Sequence, residues 1–390
     1  MLALLGACYA PAAYRACEIS CATGVCPAGL TCGVDDQLCY APGGSTCSEP
    51  QPDTAPSCVG TVGLVQTYCP PQPIAAEQVL ATAGTASTDG GNCIDVIQQP
   101  NGPALCVFAV AKVVRMDAAM TFTGSRPVVF VATEDIIINA TLDVSRGGAG
   151  YVPAAVPSGF TCLTGTAKPA QSTPVLSGGA GGGGGGFATA GGLGGQVINE
   201  QGTPAGPATK LPTIVRPGCP GGASGGNVAG AFQAPGGAPG GGVYLLAGSR
   251  ITVNGQIHAF GDGGAGTNQA NVGGGGGGSG GMIVLDAPMV TLAATAKVLA
   301  AGGGGGEGSA SVQSNAGGRQ STQMPTEPAP GGTGTAGSDG GNGSGSINPA
   351  TQNGAPADGV SGGGGGGGGA GYIKVFGLLT IGGVVAPPPT

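Results

Sequence analysis

Several residue types on which globular proteins usually depend are scarce in this sequence. It has no Trp, one His and only 8% charged residues. Helix-forming runs are nearly absent and no run of about 18 apolar residues exists, which excludes an ordinary helical core and a helix spanning a bilayer. The 12 Lys and Arg residues are scattered and the net charge is −7. Such a charge distribution argues against nucleic acid as a partner.

Glycine is abundant instead, at 87 of 390 residues, or about 22% against roughly 7% in average proteins. The mean hydropathy of +0.23 indicates that there is apolar material to bury. Low charge also argues against an ordinary solvated, disordered chain. Because glycine brings no side chain to a core, much of this chain must be stabilised by something other than side-chain burial.

One pattern recurs along the chain: an apolar run, an alternating run, a short turn and then glycine. It occupies 108–124, 128–149, 243–264, 282–303 and 372–385. Aligning the alternating runs superimposes five anchor residues, Val114, Ile136, Ile251, Val290 and Leu379. The same alignment superimposes the corners that follow, at Asp117-Ala118, Asn139-Ala140, Asn254-Gly255, Ala293-Ala294 and Gly382-Gly383.

The repeat predicts a stacked all-β architecture over 106–390. Its runs are rich in Val, Ile, Leu, Phe and Thr, which suit strands. The first two anchors are 22 residues apart, near one coil of a β-solenoid, and longer intervals hold insertions at about 146–241, 262–281 and 302–370. One coil cannot bury its apolar face alone, whereas stacked coils form a continuous core. We therefore expect a short parallel right-handed β-solenoid of about five coils, or an equivalent parallel sheet.

Four glycine tracts lie mostly in these insertions: Gly178–Gly195, Gly273–Gly281, Gly302–Gly306 and Gly362–Gly369. One interpretation is a set of flexible linkers. The other is polyglycine II, an extended threefold helix whose neighbours bond backbone to backbone. The tracts run directly into strands, which favours polyglycine II. In composition they resemble the glycine-helix bundles of a springtail antifreeze protein and of certain phage tail-fibre adhesin tips.

Thirteen cysteines, dense in the first 50 residues, indicate an oxidising compartment. The twelve disulfide candidates are Cys17, Cys21, Cys26, Cys32, Cys39, Cys47, Cys58, Cys69, Cys93, Cys106, Cys162 and Cys219. Residues 9–47 read as a small disulfide knot, whose six cysteines permit 15 pairings. Residues 48–105 read as a Pro-rich linker and a disulfide-closed loop. Zinc is the alternative for the knot, although no CxxC pair occurs.

Adjacency along the chain suggests two of the pairings. Cys93 and Cys106 flank a turn-rich loop, so a disulfide between them would close it. Cys162 and Cys219 would similarly tie the ends of the first long insertion.

The start of the chain offers a use for the thirteenth cysteine. Leu5-Gly6-Ala7-Cys8 resembles the lipobox of bacterial lipoproteins. That resemblance implies that 1–8 is the remnant of a signal and that Cys8 carries a lipid anchor in the outer membrane. The run lacks a positive n-region and is short for a signal peptide. Either the true start lies upstream, or Cys8 is a free or bridged cysteine.

Residues with catalytic potential are few and separated. His258 lies within a repeated strand with Ser249 nearby, but no third group is placed to complete a triad. The carboxylate pairs Asp35-Asp36 and Glu134-Asp135 read as solvated turn residues rather than a glycosidase pair. Asp262-Gly-Gly and Asp339-Gly-Gly lack the periodicity of calcium-binding repeats. We predict no catalytic residue, no metal site and no cofactor.

The combination of features is similar to one family. A lipobox-like start precedes the knot motif at 26–32, CPAGLTC, then GSRPVVFVATEDIIINATLDVSRGGAG and strand–polyglycine repeats. Together these resemble the glycine-rich secreted lipoproteins of myxobacteria and related soil bacteria. The resemblance implies an envelope location and transfers no catalytic residues.

The function expected from the sequence is that of a non-enzymatic envelope or secreted structural protein that displays loops for adhesion. Two alternatives remain: a carbohydrate-binding or polysaccharide-cleaving β-solenoid, and a self-assembling fibre subunit. The expected partners are surface polysaccharide or further copies of the chain.

Overall fold

A computed structural model describes most of the chain, in two compact units, 1–56 and 57–390. The described residues are 21, 26, 30–32, 38–40, 58–60, 64, 67–71, 73–151, 162, 178–198, 202–226, 232–309, 329–333, 337–344, 351–357 and 361–390. Over these residues the structure is all-β and contains no helix. It therefore also has no helix there that is long and apolar enough to cross a membrane.

The smaller unit contains a disulfide-stapled hairpin. Strands β1 (Thr31–Cys32) and β2 (Cys39–Tyr40) pair antiparallel. Disulfides join Cys21 to Cys32 and Cys26 to Cys39, so each strand is tied to the segment before the hairpin. A segment this small has little apolar surface to bury, and covalent staples compensate for that. Cys8, Cys17 and Cys47 lie outside the described residues.

The larger unit is built from two parallel sheets. The main sheet contains β3 (Ala75–Leu80), β6 (Leu105–Met116), β8 (Val128–Ile138), β10 (Gly242–Ala247), β11 (Arg250–Val253), β13 (Met282–Leu292) and β15 (Tyr372–Ile381), with β5 (Asp95–Ile97) antiparallel on β6. The second sheet contains β4 (Gly84–Ser87), β7 (Met120–Thr123), β9 (Thr141–Asp143), β12 (Gln256–His258), β14 (Lys297–Leu299) and β16 (Val384–Ala386).

Both sheets follow the order of the chain. In the main sheet β3 pairs with β6, β6 with β8, both β10 and β11 lie between β8 and β13, and β13 pairs with β15. In the second sheet the order is β4, β7, β9, β12, β14, β16. Apart from β5 and β10, each strand of the main sheet is thus followed by one strand of the second sheet, and successive pairs add at the same edge.

The register between strands is the one that the sequence repeat predicts. Val114 pairs with Ile136, Ile136 with Ile251, Ile251 with Val290, and Val290 with Leu379. The corner residues also stack: Asn139 donates its side-chain amide to Asp117 at 2.7 Å, and Asn254 donates to Asn139 at 2.8 Å. A one-residue slip would reverse every side chain, so the buried anchors fix this alignment.

Burial explains why the first half of each repeat is continuously apolar and why its second half alternates between apolar and polar residues. One face of the main sheet packs against the second sheet, with Phe122 and Phe130 meeting edge to face at 5.6 Å between ring centroids. The first halves of the long strands are also covered on their other face, where Phe187 and Val215 pack on residues such as Tyr244. Strands buried on both faces are continuously apolar, and strands with one wet face alternate.

The stack is longer than the repeat indicates. Strands β3, β4 and β5 lie in 48–105, which the sequence analysis assigned to a linker and a loop, so there are six successive strand pairs rather than about five. Among the described strands, β3 pairs on one side only, and its side chains are largely exposed. The Gln78 side chain accepts a hydrogen bond from the Val110 amide, which satisfies part of the edge of β6. Such an end strand buries few side chains, so its sequence lacks the apolar pattern by which the other strands were predicted.

We expect Ile251→Ala to destabilise the protein, because Ile251 is fully buried at the centre of the anchor column. The free energy of unfolding in urea should fall by about 2–5 kcal/mol. Thr252→Ala is the matched control, since Thr252 is partly exposed on the opposite face. Its cost should stay within about 0.5 kcal/mol. Equal costs for the two variants would contradict the assigned register.

Candidate functional site

The glycine tracts are joined by backbone hydrogen bonds that recur every third residue. In the segment 361–371 one row of amides donates to segment 178–186: Gly363 to Gly179, Gly366 to Gly182, and Gly369 to Gly185. A second row donates to segment 300–309: Gly362 to Ser309, Gly365 to Gly306, and Gly368 to Gly303. A third row donates to Ala355 and Gln352. Three rows at a spacing of three residues mean that amides point in three directions around the segment.

Two segments lie at the centre of this arrangement, which we call the glycine network. Segment 361–371 is bonded to segments 178–186, 191–195, 273–281, 300–309, 341–344 and 352–355. Segment 273–281 is bonded to segments 179–185, 219–225, 237–240, 259–265, 303–306 and 363–369. Every residue of 362–371 and of 273–281 is buried. Buried backbone groups require partners, and this arrangement supplies them without a helix or a sheet ladder.

The requirement for glycine in the network is steric. None of the described glycines of 362–369 has a positive φ, so other residues could adopt the same backbone conformation. A Cβ added at Gly365, however, would lie far inside 3.0 Å of the Gly275 carbonyl oxygen, and one at Gly366 would meet the Gly192 carbonyl in the same way. The clashing atoms are backbone, which cannot move aside without breaking the network.

A few buried side chains complete the network where an amide has no carbonyl partner. Ser279 accepts the Cys219 amide at 2.7 Å, Ser224 accepts the Ala234 amide at 2.8 Å, and Ser344 accepts the Gly302 amide at 2.9 Å. Thr189 does the same for the Ala370 amide at 2.9 Å. Small hydroxyl residues in the tracts therefore serve as hydrogen-bond acceptors.

The network continues directly from the strands. Segments 236–241, 273–281 and 362–371 lead without a loop into β10, β13 and β15, which are neighbours in the main sheet. Segments 259–266 and 300–309 leave β12 and β14 of the second sheet in the same way. Strands that are already aligned therefore deliver the tracts side by side.

The cysteines expected to pair by adjacency do pair. Disulfides join Cys93 to Cys106 and Cys162 to Cys219, and a further disulfide joins Cys58 to Cys69. The Cys162–Cys219 bond attaches to segment 218–226 of the glycine network. In the smaller unit the sulfurs of Cys21, Cys26 and Cys39 lie within 4.8 Å of one another. All three are in disulfides, and they therefore lack the thiolates that a zinc site requires.

His258 and Ser249, which were weighed as catalytic candidates and set aside, are not assembled into a site. Ser249 lies at the break between β10 and β11, whereas His258 lies on β12 of the other sheet. Burial lowers the pKa of His258, Asp143 opposes that effect and Lys297 reinforces it. The His258 ring lies 4.7 Å from that of Phe260, and within the described part of the chain its Nε2 has no hydrogen-bond partner. This is the environment of a packed histidine.

The carboxylates named in the sequence analysis also lie apart. Asp135 forms an ion pair with Arg250 on the surface, with 2.6 Å between Oδ2 and Nη2, and Glu134 is exposed beside it. Asp262 and Asp339 lie in the glycine network, where their backbone carbonyls accept hydrogen bonds. Asp35 and Asp36 are outside the described residues.

A cavity of about 450 Å³ lies where the long strands bend. In β13, Ala287 and Pro288 together oppose the single residue Gly377 of β15, which has φ +106°. Such bulges re-aim neighbouring side chains and accommodate a proline within a sheet. We call this space the kink cavity; it is lined by Cys58, Val59, Gly60, Thr133, Ala247, Gly248, Asp286, Ala287, Pro288, Phe376 and Gly377.

Asp286 is the one charged residue in that lining, and it is only 7% exposed. The Tyr244 hydroxyl donates a hydrogen bond to its Oδ2 atom. Burial raises the pKa of Asp286, and the hydrogen bond from Tyr244 partly opposes that rise. No motif or repeat in the sequence singles out this residue. Its signal was a single acid inside the apolar run MIVLDAP, at 282–288.

Comparisons with protein-family models, with curated proteins and with solved structures found no match to this chain. The geometry of the chain itself therefore carries the argument about function.

We expect Gly365→Ala to destabilise the protein by about 3 kcal/mol or more, because its Cβ would clash with backbone in the centre of the network. Gly84→Ala is the matched control, since a Cβ at Gly84 would meet nothing within 4 Å. It should leave stability unchanged or raise it by about 0.4–1 kcal/mol. Thermal and urea unfolding measure both changes. Equal effects of the two variants would show that the tracts do not pack as described.

Stability should depend on pH through Asp286. The pKa of Asp286 is raised in the folded state. Its stabilising contribution to the free energy of unfolding is therefore fully present below the ordinary carboxyl pKa, and it is lost as pH rises through the pKa of the folded protein. Relative to Asp286→Asn, the wild-type free energy of unfolding should therefore decrease from about pH 3 to pH 7. Asp135→Asn, which removes a surface carboxylate, is the charge-matched control. Parallel curves for wild type and Asp286→Asn would contradict the assignment.

Proposed function

We propose that this protein is a non-enzymatic structural component of the cell envelope or of the secreted material, in which the glycine network is a rigid scaffold that displays loops for adhesion. The observation that carries the proposal is the network itself. It contains a large buried volume of backbone and few side chains capable of chemistry. A region held together mainly by backbone hydrogen bonds is suited to a structural role.

We further infer that the stacked strands form a short right-handed β-solenoid and that the tracts form polyglycine II. The in-register order of strand pairs along both sheets supports the solenoid. Polyglycine II has three residues per turn, and the hydrogen-bond rows recur every three residues. Each central segment has six bonded neighbours. A threefold helix that donates hydrogen bonds in three directions and accepts them from three others would have that number.

The proposed location follows from the covalent chemistry. The five disulfides among the described residues indicate an extracellular or envelope location, because thiols stay reduced in the cytosol. We propose in addition that Cys8 is lipidated and anchors the protein in the outer membrane, which its lipobox-like surroundings support.

A second candidate function is self-association into fibres. Strand β15 lies at the end of the main sheet, where Leu378 is 77% exposed and Ile381 is 50% exposed. Exposed apolar edges are sites where further strands add. The last residue, Thr390, bonds to Ile373 and Val375 and so covers one part of this edge.

Adhesion is tested with beads that carry the oxidised protein, presented to polysaccharide extracted from the producing cells. We expect wild-type beads and Gly84→Ala beads to bind, and Gly365→Ala beads to lose most binding because the scaffold that positions the loops is disrupted. Hydrogen exchange of 178–186 and 361–371 on the same samples reports whether the network is formed. Retained adhesion without the network would refute the scaffold role. Release of shortened polysaccharide would favour a cleaving enzyme instead.

A further inference from the structure

The kink cavity holds a buried carboxylate with very little to balance its charge. Asp286 is more than nine-tenths buried, and among the described residues the one hydrogen bond to its side chain is that from Tyr244 to Oδ2. Among the ion pairs of the described residues, none includes Asp286. A buried carboxylate ordinarily requires a cation or several donors, so this one has capacity for a further partner.

The rest of the lining restricts what that partner is. Val59, Ala247, Ala287, Pro288 and Phe376 contribute apolar surface. The volume of about 450 Å³ is in the range of sites that hold small molecules. A mostly apolar cavity with one charged group favours a ligand with an apolar body and a single opposite charge.

A metal ion fits this lining poorly. Calcium takes about 6–8 oxygen ligands and magnesium needs an octahedral set. The cavity offers one carboxylate and the hydroxyl of Thr133 among its side chains. An organic ammonium group needs fewer partners, because one carboxylate and an aromatic face satisfy it.

The aromatic face is present beside the carboxylate. Phe376 pairs with Asp286 across β15 and β13 and lines the same cavity. The ammonium group of Lys374 lies 4.8 Å from the centre of the Phe376 ring, which is a cation–π contact within the protein itself. A ligand ammonium between Asp286 and Phe376 would gain both interactions.

We propose that the kink cavity binds a small organic amine, with its ammonium group on the Asp286 carboxylate and its alkyl body against Phe376 and Pro288. Tyr244 is a positioning residue, because its hydroxyl holds Oδ2 and so orients the carboxylate. The site is independent of the scaffold role, since it lies at the strand bends rather than in the glycine network.

The test uses the full oxidised chain labelled with ¹⁵N and titrated at constant chloride with n-butylammonium, with neutral n-butanol and with butyrate. The amides of Gly248 and Gly377 report on the cavity because both residues line it. We expect saturable shifts with n-butylammonium, binding of n-butanol at least about tenfold weaker, and no saturable shift with butyrate. Equal binding of n-butylammonium and n-butanol, or no saturable shift with either, would overturn the proposal.

Variants separate this carboxylate from the overall negative charge. Asp286→Asn should weaken n-butylammonium binding at least about tenfold and leave n-butanol binding unchanged. Asp135→Asn removes the same charge at the surface and should leave both unchanged. Equal losses in the two variants would mean that the amine binds non-specifically to an acidic protein. If Asp286→Asn fails to fold, the comparison of the three probes on the wild-type protein still decides.

Discussion

The constraint on which this structure depends is that buried backbone amides and carbonyls must be paired. Most domains meet it with helices and sheets and then bury side chains between those elements. In this chain the backbone groups of the strands are paired within the sheets, while segments such as 273–281 and 361–371 bury backbone directly against backbone. The low charge, the absence of helix over the described residues and the abundance of glycine all follow, because close approach of backbones leaves no room for a Cβ.

The two layers of organisation support each other. Strands β10, β13 and β15 are aligned by side-chain burial, and they deliver three glycine segments in a fixed phase. Bonding between those segments then compensates for the entropy that glycine loses on ordering. Disulfides add covalent links to this arrangement, from Cys93 to Cys106 and from Cys162 to Cys219.

Much of the fold could be predicted from the sequence, because aligning the repeats also predicts which residues pair between neighbouring strands. Val114, Ile136, Ile251, Val290 and Leu379 align in the structure as they do in the alignment of repeats, since the first four are buried at the same position and Leu379 packs partly buried beside them. The strand pair β3 and β4 was missed because an end strand is paired on one side and carries polar residues. The kink cavity was missed for a different reason. It depends on how Asp286, Phe376 and a bulge meet across the two strands β13 and β15, and no local pattern encodes that meeting.

The three-residue period of the glycine network has a genetic consequence. Any substitution within 362–369 introduces a side chain where a backbone oxygen already stands, so point changes there are rarely tolerated. Gain or loss of three glycines, by contrast, restores the phase of every row of bonds and only lengthens or shortens each row by one hydrogen bond. Replication slippage in glycine codons produces such changes readily. Tracts of this kind are therefore expected to diverge in length, in steps of three, much faster than in composition.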